Sequence, residues 1–262
     1  MDDQPKTFTY QSETGPVEVP THPKRVILLS GFTGNVISLG VNVVGVDVWS
    51  KNNPTFKNLE KIIELKPDLI IGLSNIKNID KLKEIAPTVT YTCSKLDYLA
   101  QHIEIGKLLN KEKEATKWVD DFKQRAEKAG DEIRAKIGED ATVSVFESYD
   151  KQLYVGNNWA RGTEILYQVM KLKMPEKVKE VALKDGYYTL STEVLPQYAG
   201  DYIILSKYAD ADISFQKTDT YKSIPAVKNN RVYEMLGNGA SFSDPVTLEK
   251  QLTFFKKSFL GN

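Results

Sequence analysis

Tyr154-Val155-Gly156-Asn157-Asn158-Trp159-Ala160-Arg161-Gly162 gathers two aromatic rings, a guanidinium and two glycines into nine residues, between a strand-like run and a helix-like one. That composition suits the grip of a ligand better than bond-breaking chemistry. Trp and Tyr offer wide, stiff surfaces at low entropic cost, Arg offers planar donors that keep their proton, and Gly lets the backbone approach closely. The plainer alternative makes Trp159 core filler and Arg161 a solvated residue at a helix start.

Catalytic and metal-binding signatures are missing from the sequence. It contains no GxSxG elbow, HExxH pair, Walker A loop or dinucleotide fingerprint. Gly237-Asn238-Gly239 follows a late strand and reads as a turn before a helix capped near Ser243 or Asp244. The single cysteine, Cys93, forms no internal disulfide, and the two histidines, His22 and His102, read as structural. No protein-ligated metal and no cofactor are expected, and the chain is read as a non-enzyme.

Lys plus Arg number 35 and Asp plus Glu number 35, so no global field favours nucleic acid or an anionic membrane. No apolar run is long enough to span a bilayer. The polar opening reads as a tether, residues 1–22, and suggests that a targeting segment once preceded it.

The elements that must position these residues follow an α/β pattern. Val26 to Ser30, Val41 to Val48, Leu69 to Gly72 and Thr88 to Thr92 read as buried strands alternating with short helices, which predicts a mainly parallel sheet in residues 23–110. Ala115, Trp118, Val119, Phe122, Ala126, Ala129, Ile133 and Ile137 recur at helical spacing, so residues 111–138 read as one long helix connecting two lobes. In residues 139–262 the pattern restarts, with strands at Thr142 to Phe146, Gln152 to Val155, Tyr202 to Leu205 and Val232 to Met235 and a closing helix from Pro245 to Phe259. Two α/β lobes joined by one long helix, with a cleft between them, is the architecture expected. The ligand edge of such sheets lies beyond the carboxyl ends of the strands. Phe32, Trp49 and Phe242 stand in loops at such ends, and Tyr187 and Tyr188 read as loop residues.

The segments HPKRVILLSG, LEKIIELKPDLIIGLS, NNWARGTEILYQ, YAGDYIILS, IPAVKNNRVYEM and SDPVTLE occur in order along nearly the whole chain. Together they resemble the iron-siderophore substrate-binding proteins of ABC importers, most of all the ferric-hydroxamate-binding lipoproteins of Gram-positive bacteria. The resemblance implies a class III periplasmic-binding-protein fold and a ferric siderophore as ligand. It also implies an ABC permease with its ATPase as partner, and a lipid anchor on an N-terminal cysteine that would hold the protein on the extracellular face of the cytoplasmic membrane. Carried over by position, Trp159, Arg161 and Tyr154 become ligand contacts, with Phe32, Phe242 and Trp49 as further wall residues. Glu60 and Glu193 become contacts to permease arginines; favourable charge at helix N-termini is their other reading. The sequence departs from the family in a short Trp49 to Asn58 connection and in a strand-to-Trp159 spacing one residue short.

Fe(III) wants six oxygens and a hexadentate siderophore supplies them all, so the protein need not touch the metal. A ferric tris-hydroxamate is neutral or singly cationic, whereas a tris-catecholate is strongly anionic. One arginine among aromatics suits the former. A receptor for ferric catecholate, citrate, haem or cobalamin is the alternative within the fold, and an α/β enzyme acting at an interlobe site is the alternative outside it.

Overall fold

The computed structural model describes residues 4–46, 59–156 and 158–261, with the side chains of residues 59–61 outside that description. The chain divides into two compact units, residues 1–121 with 244–246 and residues 122–243 with 247–262. Both are α/β.

The first unit carries four parallel strands, β3 (Val26–Leu28), β4 (Val43–Val46), β5 (Leu69–Leu73) and β6 (Thr88–Tyr91), in the order β4-β3-β5-β6. Val26, Ile27, Leu28, Leu69, Ile70 and Ile71 are fully buried, as strands covered on both faces require. Helix α1 (Thr33–Ser38) follows β3, α2 (Leu59–Glu64) and α3 (Ile79–Ile85) flank β5, and α4 (Tyr98–Leu108) follows β6. Asp68 ties the start of β3 to β5 by accepting the backbone N–H groups of Lys24 (2.7 Å) and Arg25 (2.9 Å).

The opening residues are not a tether. β1 (Thr7–Ser12) and β2 (Gly15–Pro20) form an antiparallel hairpin whose turn places Gly15 at φ 118. Its Tyr10 and Val19 enter the core with Val26, Leu28, Ile71 and Tyr91. Polar residues on the outward positions hide the strand alternation from a reading of composition. Two buried polar pairs sit in this unit: the Tyr10 hydroxyl donates to Glu104 Oε1 (2.6 Å) and lies 3.0 Å from the Tyr91 hydroxyl, and Asn35 Nδ2 meets His102 Nδ1 at 3.1 Å.

Helix α5 (Glu112–Ile137) runs for 26 residues, ~39 Å at ~1.5 Å per residue. Ala115, Val119, Phe122, Ala126, Ala129 and Ile133 are buried along one face. Glu112 and Glu114 in the first turn and Arg134 and Lys136 in the last complement its dipole. The division between the two units falls inside this helix, at residue 121, whereas the sequence pattern sets residues 111–138 apart as a connector.

The second unit holds β7 (Val143–Tyr149), β8 (Gln152–Gly156), β9 (Tyr187–Leu190), β10 (Tyr202–Lys207) and β11 (Val232–Leu236) in the order β11-β10-β7-β8-β9. β7, β10 and β11 run parallel; β8 and β9 are added antiparallel. Phe146, Leu153, Val155, Leu190, Ile203 and Leu205 build the core on one face together with Val178 and Ala182 from helix α6 (Glu176–Ala182). The segment Glu164–Val169 is a π-helix, marked by the Met170 N–H bonding Ile165 O at 2.8 Å, and α10 (Pro245–Leu260) closes the chain. No helix among the described residues is long and apolar enough to cross a membrane.

Candidate ligand-binding site

Side chains alternate across a strand, so register decides which residues share a face. Glu147 of β7 pairs with Ser206 of β10 on one side and with Tyr154 of β8 on the other, and Tyr154 pairs in turn with Thr189 of β9. These residues therefore form one row across the sheet. Tyr149 shares its face at the carboxyl end of β7, where open α/β sheets take ligands, and Tyr187 shares it on the other side of the row, level with Gly156 and Val145.

Two sequence-predicted residues join this row from the loop after β8. The Trp159 ring lies 6.4 Å from that of Tyr187, which lies 5.8 Å from Tyr154, both edge to face. The Arg161 guanidinium sits 5.6 Å from the Trp159 ring. Trp159, Tyr154 and Arg161 thus converge, and their environments reverse the plainer sequence reading. Trp159 is 46% exposed and is not core filler, while Arg161 is 8% exposed and is not solvated.

Glu147, 3% exposed, explains how a guanidinium is buried there. Its Oε1 lies 2.9 Å from Arg161 Nε, and its Oε2 accepts from the Ser206 hydroxyl at 3.0 Å. The Nε–H does not point along a hydrogen bond, and both Nε and Nη1 are buried with no hydrogen-bond partner. The pair is held by charge more than by donor geometry, and unused donors cost roughly 1–3 kcal/mol each when buried.

The backbone that delivers Arg161 is strained. Ala160, Arg161 and Gly162 take φ of 63, 59 and 80, three left-handed residues in succession, of which only Gly adopts that region freely. Surrounding bonds fix them. Ala160 N–H donates to Glu164 Oε1 (2.8 Å), Arg161 N–H to Ala240 O (2.7 Å), and the Thr163 hydroxyl to Ala160 O (2.7 Å). Ser243 Oγ also donates to Glu164 Oε1 (2.6 Å). The Gly237-Asn238-Gly239 region therefore braces this turn. Burial pushes the Glu164 carboxyl above its ordinary range, opposed by these hydrogen bonds and by Arg161. Strain of this kind collects at ligand sites, and so do π-helical turns like the one that follows.

Gly186 lets the indole in. At φ 78, a Cβ there would stand 1.7 Å from Trp159 Nε1, which donates to Asp185 O at 3.3 Å. Burial raises the Tyr154 phenol, helped by Tyr187 and Glu147 and opposed by Arg161, so it is a neutral hydroxyl at physiological pH. The Tyr149 and Tyr208 rings stack edge to face at 4.8 Å and extend the aromatic surface.

The remaining predicted residues fall elsewhere. Phe242 is half-buried in the loop between β11 and α10, in the same unit. Phe32 belongs to the first unit, where its ring meets Tyr91 at 5.6 Å and packs on the core. Trp49 and the short connection around it lie outside the described residues, as does the Glu60 side chain, whose backbone is in α2. Glu193 is exposed in a 3₁₀ turn, Thr192–Val194. Tyr187 and Tyr188 are not in a loop but on the edge strand β9; Tyr188 faces the other way, 6.2 Å from Tyr198. Sequence reasoning missed Glu147 because its charge reads as the end of the strand-like run Val143 to Phe146. It missed Tyr149 and Tyr208 too, although an aromatic at a strand's carboxyl end is a usable signal.

A family model described as Periplasmic binding protein matches residues 37–237. The Iron(3+)-hydroxamate-binding protein FhuD of Bacillus subtilis (strain 168) is 36% identical over 273 residues, covering 97% of this chain and 86% of its own. The solved FhuD protein from S. pseudintermedius has a TM-score of 0.84 at 33% identity, over 98% of this chain and 99% of that one. FhuD2 from Staphylococcus aureus with bound ferrioxamine B has a TM-score of 0.83 at 31% identity, over 91% of this chain and 99% of that one. With the family model spanning most of the sequence and relatives above 30% identity along nearly all of it, the chain belongs to the periplasmic binding protein family.

Proposed function

We propose that this protein is an extracytoplasmic receptor that captures a ferric siderophore of the hydroxamate type and hands it to an ABC permease working with its ATPase. The observation that carries the reading is the aromatic row of exposed Trp159 and Tyr187 with half-buried Tyr154, beside a guanidinium already paired with Glu147. Such a surface offers area and few hydrogen bonds, which suits a rounded chelate whose oxygens are spent on iron. The names of the relatives support the ligand class, since one is an iron(3+)-hydroxamate-binding protein and another was solved with ferrioxamine B.

On this reading Trp159 and Tyr154 form the wall and Arg161 the polar floor. Phe242, Phe32 and Trp49 are further ligand contacts, and Glu60 and Glu193 meet the permease. Residues 23–110 and 139–262 act as the two lobes, with 111–138 as the connecting helix. The iron stays with the siderophore, the protein supplies no cofactor and does no covalent chemistry, and a lipid anchor at an N-terminal cysteine keeps it at the membrane.

Isothermal titration with ferric ferrioxamine B tests the proposal. Saturable one-to-one binding is expected, weakened by about 2 kcal/mol, roughly thirtyfold in Kd, in Trp159→Ala, with Tm little changed because the ring is half exposed. Unchanged affinity in that variant contradicts the site, and no binding by the unmodified protein contradicts the function.

A further inference from the structure

We propose that Glu147 sets the charge selectivity of the aromatic seat: by neutralising Arg161 it makes the site refuse anionic iron chelates and admit neutral or singly cationic ones. The inference rests on the receptor reading above and adds a selectivity residue to it.

A lone buried guanidinium beside an aromatic row would attract anions strongly, because low local polarity and distance from mobile ions weaken screening. The structure places a buried carboxylate against this one instead. Glu147 Oε1 stands 2.9 Å from Nε, with both side chains at least nine-tenths buried. Lys207, the basic residue ending β10, follows Ser206 and so projects to the opposite face of the sheet, where Glu234 (3.0 Å) and Gln216 (3.0 Å) hold it. Among the described residues of this sheet face, the Arg161 charge is matched by Glu147.

Glu147 is fixed in this task. It stands in register with Tyr154 and Ser206, and the Ser206 hydroxyl satisfies its second oxygen. A bare structural salt bridge would serve equally well at many positions. Here the pair lies beside the rings that offer contact area, so its net charge is felt by whatever rests on them.

The test compares binding of ferric ferrioxamine B, a cation, and a ferric tris-catecholate, a trianion, by equilibrium dialysis at low and high salt. Glu147→Gln retains the side-chain shape and an acceptor for Ser206 while removing the charge. It is expected to raise affinity for the tris-catecholate relative to ferrioxamine B by at least about tenfold at low salt, a gain that shrinks as salt rises. Glu147→Gln combined with Arg161→Gln restores neutrality and is expected to return the ratio towards that of the unmodified protein. Arg161→Gln alone moves it the other way. A ratio unchanged within about twofold in folded Glu147→Gln, or a gain that persists in the double variant, overturns the proposal. Should Glu147→Gln not fold, an unmoved ratio in Arg161→Gln overturns it equally. Failure of the unmodified protein to bind either chelate is distinguishable, since it removes the receptor reading first and this inference with it.

Discussion

Trp159 and Arg161 are two residues apart and live in opposite environments, one ring half in solvent and one charge almost wholly buried. Their truncations should therefore fail differently. Arg161→Ala strands the Glu147 carboxylate in the interior, and an uncompensated buried charge costs about 3–5 kcal/mol. The expected result is a large drop in urea midpoint together with lost binding; full stability in this variant contradicts the pairing. His102 gives a second residue-scale prediction. Burial holds its imidazole down to about 4, where it accepts from Asn35 and lies 5.3 Å from the Trp118 ring. The unfolded chain binds this proton near pH 6.5 and the folded chain does not, so stability is complete above that value and falls as pH drops towards 4. The loss is on the order of 3 kcal/mol, and His102→Gln should flatten that slope in denaturation at successive pH values. Residue identity was legible in the sequence for Trp159, Arg161 and Tyr154. Their burial was not, because it depends on three left-handed residues and on Glu147 arriving from another strand.

Elements with strong period were readable. The parallel strand Leu69–Leu73 is apolar throughout, and α5 repeats its apolar face at spacings of three and four. The hairpin Thr7–Pro20 was hidden by polar residues on its outward face, and β9 by three exposed residues in four, as edge strands permit. The π-helix Glu164–Val169 comes directly after the strained turn, and no local periodicity of the sequence marks it. Packing between elements supplies its own prediction. Gly130 of α5 faces Met170, and a Cβ there would lie 2.6 Å from Met170 Cα and O, both backbone atoms. Gly→Ala inside a helix ordinarily gains about 1 kcal/mol. At Gly130 the clash should outweigh that, giving a net loss of about 1–3 kcal/mol in chemical denaturation. A stabilised Gly130→Ala would show that this contact is looser than the structure has it.

At the scale of the molecule, the alternation of strands and helices and the long central helix announced an α/β protein, the ordered segments added a resemblance to siderophore-binding proteins, and the family match agrees with that resemblance. Balanced charge meant that any selectivity had to be local, and the buried Glu147–Arg161 pair is where we locate it. Delivery is a separate function from capture. Replacing Glu60 and Glu193 together by Ala should leave siderophore affinity within about twofold while lowering cellular uptake of labelled iron, since on this reading their charges guide association with the permease. Normal uptake would return both residues to a helix-terminus role. The most direct measurement is a side-by-side titration of the unmodified protein with ferric ferrioxamine B and a ferric tris-catecholate, read by quenching of tryptophan fluorescence. Tight saturable quenching by the hydroxamate, with little response to the catecholate, is the expected result. Preference for the catecholate, or no response to either, would contradict the account.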